Sequence, residues 1–179
     1  REVSLRSGRA VAHALERAGH DVVRLELGGA RHTLRALGEA RLDVAFLALH
    51  GRLGEDGCIQ GMLELLGVPY TGSSVLGSAL AMDKAKAKEL FRLHNVPTPA
   101  SYVFEGEGTR EAIIECHSDF GYPAMVKPSH EGSSVGLQKV HNLDELVGAV
   151  LQAQAFDPRV LVERFVTGRE ITVGILNGQ

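Results

Sequence analysis

The stretch Lys127–Gly136 constrains the fold of this chain more than any other part of its sequence. The apolar run before it, residues 124–126, predicts a buried strand that delivers one lysine to a loop rich in Gly and Ser. Such a loop exposes several backbone N–H groups to one anion, and the lysine adds a compact positive charge, which suits a polyphosphate. The P-loop pattern is absent, so a different nucleotide-binding fold is indicated. A solvated lysine before a flexible turn fits these residues equally well.

Composition excludes several classes of partner. The chain has 179 residues with 44% hydrophobic and 23% charged side chains, as is typical of globular domains. A net charge of −3 provides no general attraction to nucleic acid or to an anionic membrane. No apolar run approaches the ~20 residues of a membrane-spanning helix. Cys58 and Cys116 lack metal-ligand spacing, so reduced thiols in a cytoplasmic protein are expected. The oligomeric state stays open, a homodimer included.

The first half of the sequence alternates helices and strands. This order predicts a parallel, Rossmann-like sheet wrapped by helices, with ligands beyond the carboxyl ends of its strands. The loop His50–Gly57 begins at such an end. The predicted elements are helices over 3–18 and 57–66 and strands over 22–27, 44–49 and 68–70.

The second half has a different pattern. A helix over 83–93 leads to the turn-forming stretch 95–99, and the elements that follow predict an α+β domain with an antiparallel sheet. We therefore divide the chain into domains 1–82 and 83–179. Asn177-Gly178 after an alternating strand is a strong hairpin signal, and we interpret the chain as a fragment cut inside a sheet. The remaining predicted elements are helices over 109–119 and 142–155 and strands over 100–104, 124–127, 135–140, 160–166 and 170–176.

Three groups of residues are candidates for chemistry. His50 can orient a carboxylate or move a proton near neutral pH, although a lone histidine at a strand end is more often structural. Lys84 follows the good N-cap Asp83, where a cation opposes the helix dipole by ~0.3–1 kcal/mol unless it faces an anion. Glu163 lies among apolar positions and needs a partner, either an adenine amino group or an ordinary cross-strand cation.

Taken together, these segments resemble the D-alanine–D-alanine ligases of the ATP-grasp superfamily. The resemblance runs through the whole chain in order, and it extends to the neighbours of each candidate group. The matching segments are residues 1–5, His50-Gly51-x-x-Gly54-Glu55-Asp56-Gly57-x-x-Gln60-Gly61, residues 69–73, Ala81-Met82-Asp83-Lys84, the loop over 127–136, and Val162-Glu163-Arg164-Phe165.

The resemblance implies an α/β fold in which an N-terminal substrate-binding domain precedes an incomplete ATP-grasp domain. It also implies ATP-dependent joining of two D-alanines for peptidoglycan precursors, with Mg²⁺ or Mn²⁺. Lys84, Lys127 and the loop with Glu131, Ser133 and Ser134 would hold phosphates. The remaining implied roles are adenine contacts for Glu163, Arg164 and Val166, a ribose contact for Glu170, receipt of the first D-alanine by His50 and the backbone of Val3, and membership of Ser133 in the hydroxyl network beside it.

The chain also departs from the family pattern. The acid that binds the first D-alanine's ammonium group would lie before Arg1, and the metal ligands and a mobile loop would lie beyond Gln179. Arg164 stands where many members have lysine. We therefore expect no metal site in this chain and no turnover by the 179 residues alone. A D-alanine–D-lactate ligase, another ATP-grasp carboxylate–amine ligase, and a nucleotide-binding module without catalysis are the alternatives.

Overall fold

The computed structural model describes residues 2–117, 119–132 and 134–175, without the side chain of Ala30. These residues form two compact units. Unit 1 comprises Arg1–Val96 with the loop Ser129–Val135, and unit 2 comprises Pro97–Pro128 with Gly136–Gln179. The predicted domain boundary after residue 82 falls inside unit 1, and the functional division into domains stays a prediction.

The described residues of unit 1 form five helices. The sequence predicts three of them, α1, α3 and α5, with ends within about two residues of those observed. Asp83 is the N-cap of α5, as expected, because its side chain accepts a hydrogen bond from the backbone N–H of Lys86 at 3.0 Å. The helices are α1 (Glu2–Arg17), α2 (Ala30–Glu39), α3 (Cys58–Leu65), α4 (Val75–Met82) and α5 (Lys84–Leu93).

The predicted strands of unit 1 are wrong as regular strands. Among the described residues these segments form one parallel bridge, between Ala45 and Tyr70. The Ala45 N–H donates to Pro69 O at 2.8 Å, and the Thr71 N–H donates to Ala45 O at 3.0 Å. A strand is defined by its pairing as well as by its side chains, and the apolar pattern alone does not supply a ladder. The apolar side chains of these segments still pack against a core of Leu37, Ile59 and Leu63.

Unit 2 is built on a four-stranded antiparallel sheet, which confirms the prediction for the second half. The strand order is β1-β4-β2-β3, and every neighbouring pair is antiparallel. Two helices, α6 and α7, accompany the sheet. The elements are β1 (Ser101–Phe104), α6 (Arg110–Cys116), β2 (Ala124–Pro128), β3 (Gln138–Val140), α7 (Leu143–Gln154) and β4 (Val160–Arg164).

The register of the sheet separates two faces. Val126 pairs with Val162, and both side chains are fully buried in a core with residues of α7 such as Leu146 and Val150. Lys127 pairs with Leu161 and Met125 with Glu163. Since paired residues share a face and neighbours alternate, Lys127 and Glu163 lie together on the face opposite to the α7 side. The sheet therefore separates its charged pair from its apolar core.

The strand predicted over 170–176 is absent from its described part. Ile171, Val173 and Ile175 are about three-quarters exposed and belong to no ladder. The alternation is that of a strand, but no described segment pairs with it. The Asn177-Gly178 turn lies outside the described residues. None of the helices in the described ranges is long and apolar enough to cross a membrane.

Candidate functional site

The loop His50–Gly57 is a tight turn that bonds to itself. The backbone N–H groups of Gly54 and Glu55 both donate to Gly51 O, at 3.1 and 2.9 Å. The Glu55 carboxylate returns to accept from the Gly51 N–H at 2.5 Å. A Cβ on Gly54 would lie 2.6 Å from the Cβ of Leu49, so only glycine fits there. The loop therefore has a defined shape next to the segment that precedes it.

His50 is oriented by two neighbours and remains accessible. Its Nε2 lies 3.5 Å from Ser7 Oγ, and its Nδ1 lies 3.6 Å from Glu55 Oε1. The side chain is nevertheless 41% exposed. Val3, the other residue expected near the first D-alanine, lies one turn before Ser7 on α1 and is half exposed. These contacts fit a structural histidine, and the exposure leaves its ring open to a ligand.

Asp56 has a structural role at the start of α3. Its carboxylate accepts hydrogen bonds from the backbone N–H groups of Leu53 at 2.8 Å and Cys58 at 3.2 Å, at the start of α3. Burial acts to raise the pKa of Asp56, but these backbone hydrogen bonds outweigh it and lower the pKa below the ordinary value of 3.8. Behind the turn, Gln60 Nε2 donates to Gly54 O at 3.0 Å. Asp56 and Gln60 thus fix the loop rather than face a ligand.

Lys84 occupies the first position of α5, as predicted, and contacts the Gly/Ser-rich loop. Its backbone N–H donates to Ser129 O at 3.1 Å. Its ammonium group donates to the same carbonyl at 3.2 Å and also to Glu131 O. A lysine at a helix N-terminus, where the dipole disfavours it, is thereby stabilised by backbone carbonyls.

The same loop also approaches the His50 loop. A Cβ on Gly132 would lie 3.9 Å from Glu55 Oε2 and 4.0 Å from the Cα of Gly51. The loop then turns back, with the Val135 N–H donating to Gly132 O at 3.1 Å. Unit 1 therefore brings together three segments that the sequence singles out: the His50 loop, the start of α5 and the loop 129–135.

Of the two serines of this loop that the sequence predicts at the phosphates, the structure describes Ser134. Ser133 lies outside the described residues. Ser134 is exposed and has a φ of 62°, a left-handed conformation that is uncommon for a residue other than glycine. In unit 2, Gly136 has a φ of 68°, and a Cβ there would lie 2.8 Å from the ring of Pro128. Glycine thus lets the chain return close to the point where it leaves β2.

Lys127 and Glu163 form an ion pair within the sheet of unit 2. The Lys127 ammonium donates to the Glu163 carboxylate, and the two side chains are only 21% and 13% exposed. This is the cross-strand cation that the sequence analysis allows as a partner for Glu163. The same face carries Lys139, whose ammonium lies 3.8 Å from the centre of the Phe165 ring.

The other residues expected around the nucleotide are more exposed. Arg164 ends β4, and its backbone N–H donates to Ala100 O at 2.9 Å. Val166 is 63% exposed, and Glu170 lies in a stretch without regular structure. Glu163 and Arg164 are neighbours on β4, so their side chains point to opposite faces of the sheet.

Sequence reasoning missed two residues that contact Asp83. Ser129 Oγ donates to Asp83 Oδ1 at 3.2 Å, and His130 Nε2 lies 3.2 Å from Asp83 Oδ2. Ser129 is fully buried, whereas Asp83 is 14% and His130 45% exposed. These residues are 46 positions or more from Asp83, and no local pattern indicates such a contact.

Within the ranges described, no group of three or more His, Cys, Asp or Glu side chains is arranged to hold a metal ion.

Asp56 gives a prediction for the pH dependence of stability. Its pKa is lower in the folded chain, so its contribution is present above the ordinary pKa of 3.8 and is lost as pH falls through the folded value. Asp56→Asn should reduce the free energy of unfolding near neutral pH by about 1 kcal/mol, and the difference from the native chain should shrink below pH 3.8. Urea titrations from pH 6 to pH 3 measure it, and a difference that grows towards acid contradicts the assignment.

The Lys127–Glu163 pair predicts energetic coupling. Lys127→Met and Glu163→Gln should each destabilise the chain, since each removes one member of a largely buried ion pair. The double variant should cost less than the sum of the two, with a coupling energy of about 1–3 kcal/mol. Urea unfolding of the four proteins measures it. The surface pair Lys86–Glu89, with side chains 50% and 55% exposed, is a matched control whose coupling should be below about 1 kcal/mol. Equal coupling in the two cycles refutes the prediction.

Two family profiles match the sequence. The profile described as the D-ala D-ala ligase C-terminus matches residues 90–179, and the one described as the D-ala D-ala ligase N-terminus matches residues 28–73.

Curated relatives agree over the whole chain. D-alanine–D-alanine ligase B of Pseudomonas putida is 47% identical over 179 residues, covering 100% of this chain and 55% of the relative. The D-alanine–D-alanine ligase of Geobacter sulfurreducens is 51% identical over 178 residues, covering 99% of this chain and 54% of the relative. The chain thus spans about half the length of the curated relatives it matches.

Solved structures confirm the α/β fold class. The D-alanine–D-alanine ligase of Bacillus anthracis matches with a TM-score of 0.81 at 32% identity, covering 93% of this chain and 54% of that one. Its complex with ATP matches with a TM-score of 0.79 at 30% identity, covering 93% and 55%. The VanG D-Ala:D-Ser ligase of Enterococcus faecalis matches with a TM-score of 0.66 at 39% identity, covering 72% and 38%. On the match of its C-terminal half and the agreement of these relatives, this chain belongs to the D-alanine–D-alanine ligase family.

Proposed function

We propose that the protein to which this chain belongs joins two D-alanines with ATP, for peptidoglycan precursor synthesis. In the proposed reaction the γ-phosphoryl group passes to the carboxylate of the first D-alanine, releasing ADP. The amine of the second D-alanine then attacks the acyl phosphate, and the tetrahedral intermediate expels phosphate and loses a proton. The dipeptide, ADP and phosphate are the products.

The observation that carries this proposal is the meeting of three segments in unit 1. Lys84 binds the carbonyls of Ser129 and Glu131, and Gly132 lies beside Glu55. A loop rich in Gly and Ser, a lysine and a partly exposed histidine are thereby gathered in one place. Phosphoryl transfer to a carboxylate needs mainly such positioning and charge neutralisation.

Lys84 and Lys127 are proposed to bind the phosphates of ATP. A lysine ~4 Å from a phosphate charge interacts by ~4 kcal/mol at an effective dielectric constant near 20. The loop with Glu131, Ser133 and Ser134 would close over the same phosphates. The left-handed φ of Ser134 supports this role, because left-handed residues occur in turns whose N–H groups bind anions.

Glu163 is proposed to bind the adenine amino group while it keeps its ion pair. A carboxylate offers about four acceptor positions, so an ion pair with Lys127 does not by itself exclude a second donor. Arg164 and Val166 would contact the adenine ring, and Glu170 would accept from the ribose hydroxyls. The exposure of Arg164, Val166 and Glu170 is compatible with ligand contact.

The first D-alanine is proposed to lie at His50, the backbone near Val3 and Ser133. His50 is held between Ser7 and Glu55 with its ring partly exposed, which would orient it towards a carboxylate. Ser133 would belong to the hydroxyl network beside the same substrate. Both are the catalytic candidates of this chain.

The divalent cation, Mg²⁺ or Mn²⁺, belongs to the same proposal. The residues described here do not offer a donor set that fits it. Magnesium prefers carboxylate and phosphate oxygens, and its protein ligands are proposed to lie downstream of Gln179. Cytoplasmic location and homodimer formation likewise remain proposals.

A second candidate is a ligase with another acceptor. The similarity to a D-Ala:D-Ser ligase at 39% identity supports this second candidate. The first half-reaction would be unchanged, because acceptor choice concerns only the group that attacks the acyl phosphate.

The complete gene product should release ADP in a D-alanine-dependent manner, in a coupled assay with ATP and Mg²⁺. D-Alanine, D-serine and D-lactate are then compared as acceptors in the presence of D-alanine, with the product mass measured. Formation of D-alanyl-D-alanine as the main product supports the proposal. A main product containing D-serine or D-lactate supports the second candidate, and ATP binding without any ligation indicates a non-catalytic nucleotide-binding module.

Lys84→Met should lower kcat/KM for ATP by ~10²–10³, by analogy with the loss of one donor to a developing charge. Lys86→Met is the matched control, since Lys86 lies on the same helix and pairs with the surface residue Glu89 at 2.7 Å. Its kcat/KM should change less than about 2-fold, because exposed pairs contribute little. Steady-state kinetics measure the loss of kcat/KM in both variants, and their melting temperatures show whether either variant is destabilised. Equal kinetic losses in the two variants would refute the phosphate role of Lys84.

A further inference from the structure

We propose that Asp83 is a positioning residue that ties the loop 129–132 to the start of α5 and so fixes Lys84. This inference rests on the proposed function of Lys84 and the loop in binding ATP. It assigns to Asp83, Ser129 and His130 a role beyond the helix cap that the sequence predicts.

In this tie, the consecutive residues Asp83 and Lys84 contact three consecutive loop residues, 129–131. Asp83 accepts from Ser129 Oγ and faces His130 Nε2, each at 3.2 Å. Lys84 donates to Ser129 O through its backbone N–H at 3.1 Å and through Nζ at 3.2 Å, and Nζ donates to Glu131 O as well. The carboxylate and the ammonium group therefore bind the same short stretch of loop, one through its side chains and the other through its carbonyls.

The Asp83–Ser129 contact is strong because both residues are largely buried. Ser129 is completely buried, and Asp83 is 14% exposed. Removing an acceptor from a buried hydroxyl leaves a polar group without water or a partner at that contact, which is costly. A lysine side chain, in contrast, has a flexible four-carbon stem and takes many rotamers in water. The position of the Ser129 and Glu131 carbonyls therefore determines where the Lys84 ammonium lies.

Capping alone does not require this arrangement. One oxygen of Asp83 accepts from the Lys86 N–H, which completes the cap. The other helices with side-chain caps use neutral residues for the same task, Ser74 for α4, Thr109 for α6 and Asn142 for α7. At position 83 the second oxygen faces His130, and the first is shared with Ser129. The additional contacts are those that reach the loop.

The test separates the cap from the tie in the complete gene product. Asp83→Ser keeps a capping hydroxyl but is too short to reach the loop, and Ser129→Ala removes only the tie. Both should raise KM for ATP or lower kcat/KM by about 10-fold or more, as expected for a displaced positioning group. The double variant Asp83→Ser/Ser129→Ala should lose no more than the larger single loss. Asn142→Ala, which removes the cap of α7 and no loop contact, is the control and should retain native kinetics.

Hydrogen exchange gives a readout that does not depend on activity. Amides of residues 129–132 should exchange faster in Asp83→Ser and Ser129→Ala than in the native protein, and at native rates in Asn142→Ala. Native exchange in both loop variants, or faster exchange with unchanged ATP kinetics, overturns the inference. If the native protein uses no ATP, the proposed function fails instead, and unchanged exchange in Asp83→Ser then also overturns the tie.

Discussion

The place of the loop 129–135 in unit 1 depends on the Lys84 ammonium group, which donates to two main-chain carbonyls 45 and 47 residues away. When β2 ends at Pro128, the carbonyls that follow lose the ladder that satisfied the strand. Buried backbone oxygens must find other donors, since leaving them unpaired costs as much as a lost hydrogen bond. Lys84 provides both a backbone and a side-chain donor at that point. A loop rich in Gly and Ser, which has little apolar surface of its own, thereby becomes part of a packed unit.

The two lysines donate to different kinds of acceptor. The Lys84 ammonium donates to the main-chain carbonyls of Ser129 and Glu131. The Lys127 ammonium donates to the Glu163 carboxylate, so its positive charge lies against a negative one. A phosphate that approached Lys127 would therefore compete with a carboxylate for the same ammonium group.

Local signals predict the helices of this chain better than its strands. α1, α3 and α5 carry amphipathic spacing or a good cap, and those signals act within one turn. The prediction omitted α2 although its spacing is amphipathic, and it omitted α4 although Ser74 caps it. The first of these helices follows two glycines, and the second is mostly apolar. Strands need a partner elsewhere in the sequence. The apolar runs at 22–27 and 44–49 therefore do not reveal that, within the described part of the chain, their ladder pairing is limited to Ala45. In unit 2 the partners are present, and the antiparallel sheet follows the sequence closely.

The same distinction limits prediction of the site. Sequence identifies Lys84, Lys127 and Glu163 because a charge next to apolar positions demands an explanation. It does not show that Lys127 and Glu163 explain one another, since the register of β2 against β4 brings them together. It also finds Asp83 as a cap but not its contacts with Ser129 and His130, which arise only once the loop folds back on α5. Residue types reveal which positions need partners, and the partners themselves follow from long-range pairing that no local pattern encodes. The sequence therefore predicts which residues of the candidate site need a partner. The structure shows which partner each of them has within unit 1 and within unit 2.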